Sequence, residues 1–361
     1  MNPSEILGFD DDLFDRLPDE IVLSIFNKLH DAKYLCLSMS VCKRFHSIVP
    51  KVDQVFLSIP WKRGREVGKE CEEVSSKNSF KNVVVRALMR FKPVRFISRM
   101  MRLRSRNGDN SCDDCSHYVP NDVLKPFDEL RALHLRLPCH GFQKLGSRNG
   151  DSGGNSTTFL KWKAEFGSQL QSCVIVGAKS WSEKCANNHE DDSGEAEQES
   201  RVMTEAELKL RIVWTLSCLI AASARHYLIQ ETVKDRTMVE NVVVSDESEQ
   251  GMLCMNKEQI EEMKDSKGKG KGGILTDCRS LRMKIWYAEK MELPGCGKVM
   301  EGATLVVIRP DSGGDGKWRG RSNADLVAAA FGGDGDEKVV GEFARKLVLI
   351  KKCLTLEMNA F

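Results

Sequence analysis

The feature that most constrains the fold is a helical pattern at residues 17–29 with a clear start signal and one apolar side. Pro18 fits the first turn of a helix, where its missing N–H would have no partner anyway, and Asp19 and Glu20 favour the positive end of the helix dipole. The apolar residues that recur at helical spacing are Ile21, Val22, Ile25, Phe26 and Leu29. We predict a helix that begins at about Leu17 and carries a broad apolar stripe.

Two more short helical segments follow before Pro50, which ends the pattern. Their apolar markers are Leu35, Leu37 and Met39, and then Val41, Phe45, Ile48 and Val49. Three helices this short cannot bury so much apolar surface against one another, so the pattern indicates a docking module. The alternative is that these helices form the first part of a larger core.

A set of residues in this segment has a family resemblance. These residues are Leu17, Pro18, Glu20, Ile25, Leu29, Leu35, Val41 and Phe45. Their order and spacing resemble an F-box, the motif that docks substrate receptors on a Skp-type adaptor of cullin-RING ubiquitin ligases. Phe45 departs from the pattern, since many members have Trp there. The resemblance implies an F-box over residues 12–51, with adaptor contacts from Leu17, Pro18, Ile21, Ile25, Phe26, Leu29, Val41 and Phe45.

Residues 52–361 contain short apolar segments that share the L-x-x-L-x-L spacing of leucine-rich-repeat strands. The four sets are Val52, Val55 and Leu57; Leu130, Leu133 and Leu135; Leu170, Cys173 and Ile175; and Val239, Val242 and Val244. Such strands would align in parallel with helices between them. The intervals are longer and less regular than the roughly 20 to 29 residues of a true repeat, so an ordinary α/β sheet is the open alternative.

Other patterns in this part predict a mixed α/β domain. Residues 204–233 are apolar on most sides and contain no Pro or Gly, so we expect a central buried helix. Residues 283–287 and 304–308 look like paired strands. A last helix is predicted from the common face of Val339, Val340, Phe343, Leu347 and Ile350. The expected fold class is α+β multidomain: a three-helix F-box, then a mixed α/β domain with degenerate leucine-rich-repeat-like strands.

Several segments rich in Gly, Ser, Asn and charged residues are expected to be long surface loops, some of them disordered. They are residues 105–116, 146–157, 187–200, 246–250, 265–273 and part of 311–336. Outside the F-box, the strand spacing and residues 161–167, 173–178 and 356–361 resemble the plant F-box proteins that include the auxin up-regulated group.

Bulk composition argues against a strongly charged partner or an exported protein. A formal charge of +2 from 54 basic and 52 acidic residues attracts neither nucleic acid nor an anionic membrane. The N-terminus lacks a secretory pattern, so we expect the 13 cysteines to be reduced and Cys36, Cys42, Cys173 and Cys218 to be buried thiols. The apolar run 212–224 is too short to span a membrane. We expect an intracellular protein of the nucleus, the cytoplasm or both.

Patterns that could indicate an enzyme are weak. Gly268, Gly270 and Gly273 fit G-x-G-x-x-G, but no strand pattern precedes them. Metal-like spacing occurs in Cys112, Cys115 and His117, with Cys139 and His140 as possible further ligands. Cys112 and Cys115 lie in a loop rich in Asn, Asp and Ser, and the neighbouring Cys139 and His140 are a poor clamp for a tetrahedral ion. We therefore predict no catalytic residue, no cofactor and no metal.

The strongest local charge bias is a basic stretch between residues 86 and 106. Its members are Arg86, Arg90, Lys92, Arg95, Arg99, Arg102, Arg104 and Arg106. It could bind phosphate or nucleic acid, which gives the alternative function, or form a solvated face. Few aromatic residues lie there, so nucleic acid is the less expected partner.

The leading hypothesis is a non-catalytic substrate receptor of an SCF-type ligase. As the F-box resemblance implies, it would bind a Skp-type adaptor and, through it, the cullin and RING subunits, and would present an unknown protein substrate.

Overall fold

The computed structural model describes residues 14, 16–59, 120–138, 158–183, 203–268, 280–293, 297–311 and 321–358. The helices in this part of the chain are α1 (Asp19–Leu29), α2 (Ala32–Met39), α3 (Lys43–Ile48), α4 (Pro120–Leu124), α5 (Glu205–Val233), α6 (Lys257–Gly268), α7 (Asn323–Ala330) and α8 (Asp336–Val348), with a 3-10 turn at Val49–Lys51. The strands are β1 (Gln54–Ser58), β2 (Ala132–Leu137), β3 (Phe159–Phe166), β4 (Leu170–Ala178), β5 (Ser180–Glu183), β6 (Asn241–Asp246), β7 (Gly251–Met255), β8 (Leu281–Leu293), β9 (Lys298–Pro310) and β10 (Leu354–Met358).

The starts of the three N-terminal helices follow from local sequence. Helix α1 begins at Asp19, two residues after the predicted start, with Pro18 at its N-cap position and no side-chain capping bond. Asp31 caps α2 by accepting the N–H of Lys33 through Oδ1 at 2.8 Å. Cys42 caps α3, because its Sγ accepts the N–H of Phe45 at 3.4 Å. The prediction that Cys42 is a buried thiol is therefore wrong: this side chain is exposed at a helix end.

The ten strands form one sheet in the order β1-β2-β6-β7-β3-β4-β9-β8-β10, with β5 paired to β9. Strands β1, β2 and β6 are parallel, and β3 is parallel to β7. The other neighbouring pairs are antiparallel. The fold is therefore a helical N-terminal module followed by a mixed α/β sheet.

The prediction that the segments with repeat-like spacing form parallel neighbouring strands is confirmed for three of the four sets. Val55 pairs in register with Leu133, and Leu133 pairs with Val242. The prediction is wrong for the remaining set, Leu170, Cys173 and Ile175, because their strand β4 runs antiparallel between β3 and β9. The reason is local, because only three residues join β3 to β4, and a connection that short forces a hairpin.

Helices cover both faces of the sheet. Helix α5 contacts β3, β4, β6 and β7 and belongs to the larger apolar core, which contains Trp162 and Ile175. Helices α7 and α8 pack on the opposite face over Val174, Val176 and Leu305. The predicted long helix, strand pair and last helix are confirmed. Strand β10, which extends the sheet beyond β8, was not predicted.

Helix α5 is long and apolar enough to cross a membrane by length and composition, with a mean hydropathy of 1.4 in its most apolar window. Of that window, 61% is buried within this chain, which is the behaviour of a core helix. The helix also buries charged residues, which the apolar pattern had concealed. Arg225 donates from Nη2 to Oδ2 of Asp246 at 2.6 Å and stacks over Trp162.

Asp246 ties the end of β6 to the start of β7. Its carboxylate accepts the N–H groups of Gln250 and Gly251 as well as the Arg225 guanidinium. A Cβ at Gly251 would lie 2.3 Å from the Trp162 ring, so this position needs glycine. The predicted loop at 246–250 is thus a short, well-bonded turn.

A second polar cluster lies at the first turn of α5. Thr204 and Glu207 form a capping box, and Glu207 also accepts the Lys179 ammonium at 2.6 Å and the Tyr287 hydroxyl at 3.1 Å. The Lys179 hydrogen bond is the main cause that lowers the pKa of Glu207 to about 2. Burial, followed by the hydrogen bond to Glu207, raises the pKa of Tyr287 to about 12.

Two other segments that the sequence predicts to be loops are partly described by the structure. The segment 265–273 was predicted to be a loop, but α6 continues to Gly268, because the helical pattern from Lys257 onward has no break before it. The segment 311–336 contains α7, which is started by a capping box at Ser322. The other predicted loops lie outside the described residues.

The N-terminal module is joined to the first edge of the sheet. The Phe56 N–H donates to the His30 carbonyl at 2.7 Å, and the Asp53 N–H donates to Asn27 Oδ1 at 3.1 Å. Its inner residues share one apolar core with β1, including Val22 and Val55. The division into residues 12–51 and 52–361 stays a prediction, and the packing joins the two parts along β1.

Candidate functional site

Exposed apolar side chains concentrate in the N-terminal module. Among the described residues, eleven large hydrophobic side chains are exposed, and seven of them lie between residues 14 and 41. These seven are Phe14, Ile21, Ile25, Leu29, Tyr34, Leu37 and Val41. So dense a group on one small module marks an interaction surface.

Helix α1 carries two adjacent apolar rows, one buried and one exposed. Val22 and Phe26 face the core and are 0% and 6% exposed. Ile21, Ile25 and Leu29 follow one another at four-residue spacing and are 49%, 43% and 40% exposed. Four-residue spacing aligns side chains along one side of a helix, so these three form a continuous ridge, the α1 ridge.

A second exposed row extends along α2 and the turn after it. Tyr34, Leu37 and Val41 are exposed, and their three- and four-residue spacing places them on one side. Of these three residues, the sequence predicts only Val41 as a contact. The spacing of Tyr34 and Leu37 could have identified them, but in the sequence that spacing indicates only a helix.

Three aromatic rings pack against one another in the N-terminal module. Phe45 packs edge to face on Phe26 at 5.1 Å between ring centroids and on Phe14 at 5.6 Å. Phe45 is partly buried and contacts the core. The ring trio therefore holds α3 against α1.

Arg44 fixes the entry into α1. Its Nε donates to Asp19 Oδ1 at 2.8 Å, its Nη1 donates to the Phe14 carbonyl at 2.6 Å, and its Nη2 donates to the Leu17 carbonyl. These bonds span 25 to 30 residues of sequence and set the position of the Leu17-Pro18 pair. The sequence does not predict this role of Arg44, because a single basic residue has no distinguishing pattern.

The predicted contact residues fall into three groups by exposure. Exposed side chains belong to Pro18, Ile21, Ile25, Leu29 and Val41. Leu17 and Phe45 are partly buried, and Phe26 is buried. All eight lie in one module. The five exposed side chains offer the most surface to a partner, whereas buried Phe26 offers almost none; the contact itself stays a prediction.

The chemistry of this surface is apolar contact with a polar border. Lys28, Lys33 and Lys43 are exposed on the same helices. Such a composition suits a protein interface with an apolar centre and a charged rim.

The buried cysteines of the sheet domain do not form a nucleophilic site. Burial raises the pKa of the Cys173 thiol to about 12 and that of Cys218 well above its usual value, so neither buried thiol is poised as a nucleophile.

The other candidate sites are only partly covered by the structure. Within the described ranges, no group of three His, Cys, Asp or Glu side chains could hold a metal ion. The possible zinc ligands Cys112, Cys115, His117, Cys139 and His140 lie outside those ranges, as does the basic stretch 86–106. Of the glycine motif, only Gly268 is described, as the last residue of α6.

Comparison with known proteins gives matches at two scales. The F-box-like family matches residues 14–52, which contain the α1 ridge and its supporting rings. Over nearly the whole chain, Arabidopsis thaliana F-box protein At5g46170 is 33% identical, covering 97% of this chain and 94% of its own length. The Arabidopsis thaliana proteins F-box protein AUF2 and F-box protein AUF1 are 33% and 31% identical, covering 97% of this chain and 100% of their own lengths. No solved structure matches.

Proposed function

Since this chain belongs to the F-box protein family, whose members generally act as substrate receptors of SCF ligases, we propose that it is such a receptor. Residues 17–49 would bind a Skp-type adaptor and, through it, the cullin and RING subunits. The sheet domain would hold a protein substrate. The chain itself would perform no chemistry, because bringing substrate and ubiquitin-loaded enzyme together is sufficient to raise the rate of transfer.

The observation that carries this proposal is the α1 ridge. Three large aliphatic side chains on one side of a helix remain 40–49% exposed, while the row beside them is buried in this chain's own core. Exposure of that size costs free energy in water, which a partner would recover by covering the ridge. The direct contacts would come from Pro18, Ile21, Ile25, Leu29 and Val41.

The remaining predicted residues would keep the contact surface in position. Phe26 and Phe45 would keep α1 and α3 in place through their ring contact. Leu17 would set the start of α1, where Arg44 holds its carbonyl. Tyr34 and Leu37, which are exposed near Val41, are added to the proposed contact surface.

Adaptor capture by the purified full-length chain tests the proposal. Leu17→Ala combined with Pro18→Ala is expected to abolish capture of a Skp-type adaptor, because it removes an exposed contact and loosens the helix start. Leu349→Ala is the matched control, since Leu349 is 78% exposed but lies at the end of α8. Urea unfolding establishes that both variants remain folded. Undiminished capture by the folded double variant would overturn the proposed docking.

We also propose that this receptor works inside the cell, in the nucleus, the cytoplasm or both. The six cysteines among the described residues are free thiols, which fits a reducing compartment. Fluorescent tagging in plant cells would test the location, and secretion of the tagged chain would contradict it.

A further inference from the structure

A cavity of about 350 Å³ lies between β8, β9 and the start of α7. Among the described residues that line it, four have cationic side chains and none is acidic. The polar lining consists of Arg282, Lys284, Arg309, Arg321, Ser322 and Asn323. In order along the sheet, β9 is six strands from β1, which is about 30 Å at ordinary strand spacing, so this cavity is remote from the N-terminal module.

The strand register places like charges directly opposite one another. Arg282 on β8 pairs with Arg309 on β9, and Lys284 follows two residues along the same face of β8. Like charges opposed in an antiparallel pair are destabilising. Arg309 is only 8% exposed, so water screens this repulsion poorly.

Three of the four cations bind other groups of the protein, and one of these groups is the Glu165 carboxylate, which accepts from Arg321 Nη2. Arg309 donates from Nη1 to the Arg321 carbonyl at 2.6 Å. Arg282 donates from Nη2 to Glu357 Oε1 at 3.2 Å and forms an ion pair with Asp311 at 3.1 Å. Within the described ranges, no carboxylate forms an ion pair with Lys284.

The surroundings of Arg309 disfavour its positive charge. Burial lowers the pKa of the Arg309 guanidinium, and the nearby Arg321 charge lowers it further, while Asp325 raises it. An anion bound beside Arg309 would favour the charged guanidinium and so oppose the lowering effects. The first turn of α7 adds the positive end of its helix dipole at Ser322 and Asn323.

We propose that this cavity is a binding site for a phosphomonoester-type anion. Arginine guanidinium groups bind phosphate oxygens in pairs, and several cations around one cavity suit a doubly charged group better than a carboxylate. The volume is at the lower end of the range for small-ligand sites. The same chemistry is offered by a small phosphorylated compound and by a phosphorylated side chain of a protein. The site does not depend on adaptor binding.

Calorimetric titration of the full chain with inorganic phosphate, at neutral pH and low salt, tests the site. The native chain is expected to show saturable binding. Lys284→Gln is expected to weaken binding by about tenfold, which is the usual loss when one charged hydrogen-bond donor is removed. The matched control is Lys290→Gln, which makes the same charge change on the same strand outside the cavity and should leave binding unchanged.

A second cavity variant and a stability measurement distinguish loss of the binding site from loss of the fold. Arg321→Gln removes a different wall of the cavity and should also weaken binding by about tenfold. Urea unfolding without phosphate shows whether each variant is folded. Absence of saturable binding to the native chain at millimolar phosphate would overturn the proposal. Equal weakening in Lys284→Gln and Lys290→Gln would also overturn it, because it would indicate general charge attraction.

Two tripeptides distinguish the sources of the anion. Tighter binding of glycyl-phosphoseryl-glycine than of inorganic phosphate would point to a phosphorylated protein segment. Tighter binding of inorganic phosphate would point to a free phosphorylated compound. Either result supports the site, whereas equal binding of the phosphorylated and unphosphorylated tripeptides would contradict it.

Discussion

Two neighbouring residues of α1 should respond to truncation in opposite ways. Phe26 is 6% exposed and packs on the Phe45 ring at 5.1 Å, so Phe26→Ala should lower the free energy of unfolding by about 3–5 kcal/mol. Ile25 is 43% exposed. Ile25→Ala should therefore cost less than about 1 kcal/mol of stability, partly because alanine is the better helix former.

The effect of Ile25→Ala on adaptor affinity can be estimated from the same exposure. Full burial of an isoleucine side chain contributes about 1.5–3 kcal/mol, so covering its exposed part contributes about 0.7–1.3 kcal/mol. The Kd for a Skp-type adaptor should then rise about three- to ninefold. If Ile25→Ala destabilises the chain as much as Phe26→Ala does, the assignment of the two rows is refuted.

Urea unfolding followed by circular dichroism measures the stability of each variant, and calorimetric titration measures its adaptor affinity. Val22→Ala provides a matched control for the buried row, because Val22 is fully buried on the same helix. It should lower stability without removing any exposed contact. A large loss of affinity in Val22→Ala with native stability would also contradict the reasoning.

Two further predictions concern the sheet domain. Asp246→Asn should lower the free energy of unfolding by about 3–5 kcal/mol, because it leaves the buried Arg225 guanidinium without its counter-charge; a loss below about 1 kcal/mol in urea unfolding would be the contrary result. Glu207→Gln should cost about 1–2 kcal/mol at neutral pH, since Lys179 loses its charged acceptor. The pKa of Glu207 is lowered from 4.5 to about 2, so its stabilisation is complete above pH 4.5 and is lost as the pH falls towards 2. The unfolding curves of Glu207→Gln and native chain should therefore converge near pH 2, and a constant difference across that range would disprove the pKa assignment.

Much of the fold could be predicted because local patterns and tertiary structure agree. Helix α1 follows from Pro18 and the apolar spacing after it, and the parallel strands β1, β2 and β6 follow from one recurring apolar spacing. Helix α5 has a capping box at Thr204 and no interrupting Pro or Gly. In each case, residues close in sequence determine the element.

What could not be predicted depends on contacts between distant residues. The spacing of α1 shows a broad apolar stripe, but only the packing of α1 on α2, α3 and the 3-10 turn decides that Phe26 is inside and Ile25 outside. The strand spacing of β4 resembles that of β2, although a three-residue connection to β3 reverses its direction. Buried Arg225 looks like an interruption of an apolar run until β6 brings Asp246 against it.

The anion cavity shows the same limit. Its cationic residues come from two strands and from the segment before α7, and each resembles an ordinary surface charge in the sequence. Only the pairing of Arg282 with Arg309 and the return of Arg321 bring them together. A cluster built in this way leaves no spacing signal in the chain.

The central claim is that the α1 ridge is the adaptor contact, and its most direct test is the Kd of the purified full-length chain for a Skp-type adaptor. The exposed fractions of Ile21, Ile25 and Leu29 together exceed one whole side chain, so covering them contributes about 2–4 kcal/mol. Replacing all three by alanine should raise the Kd about 30- to 700-fold and leave the urea midpoint close to native, while Leu349→Ala changes neither. A triple variant with native stability and native affinity would contradict the claim.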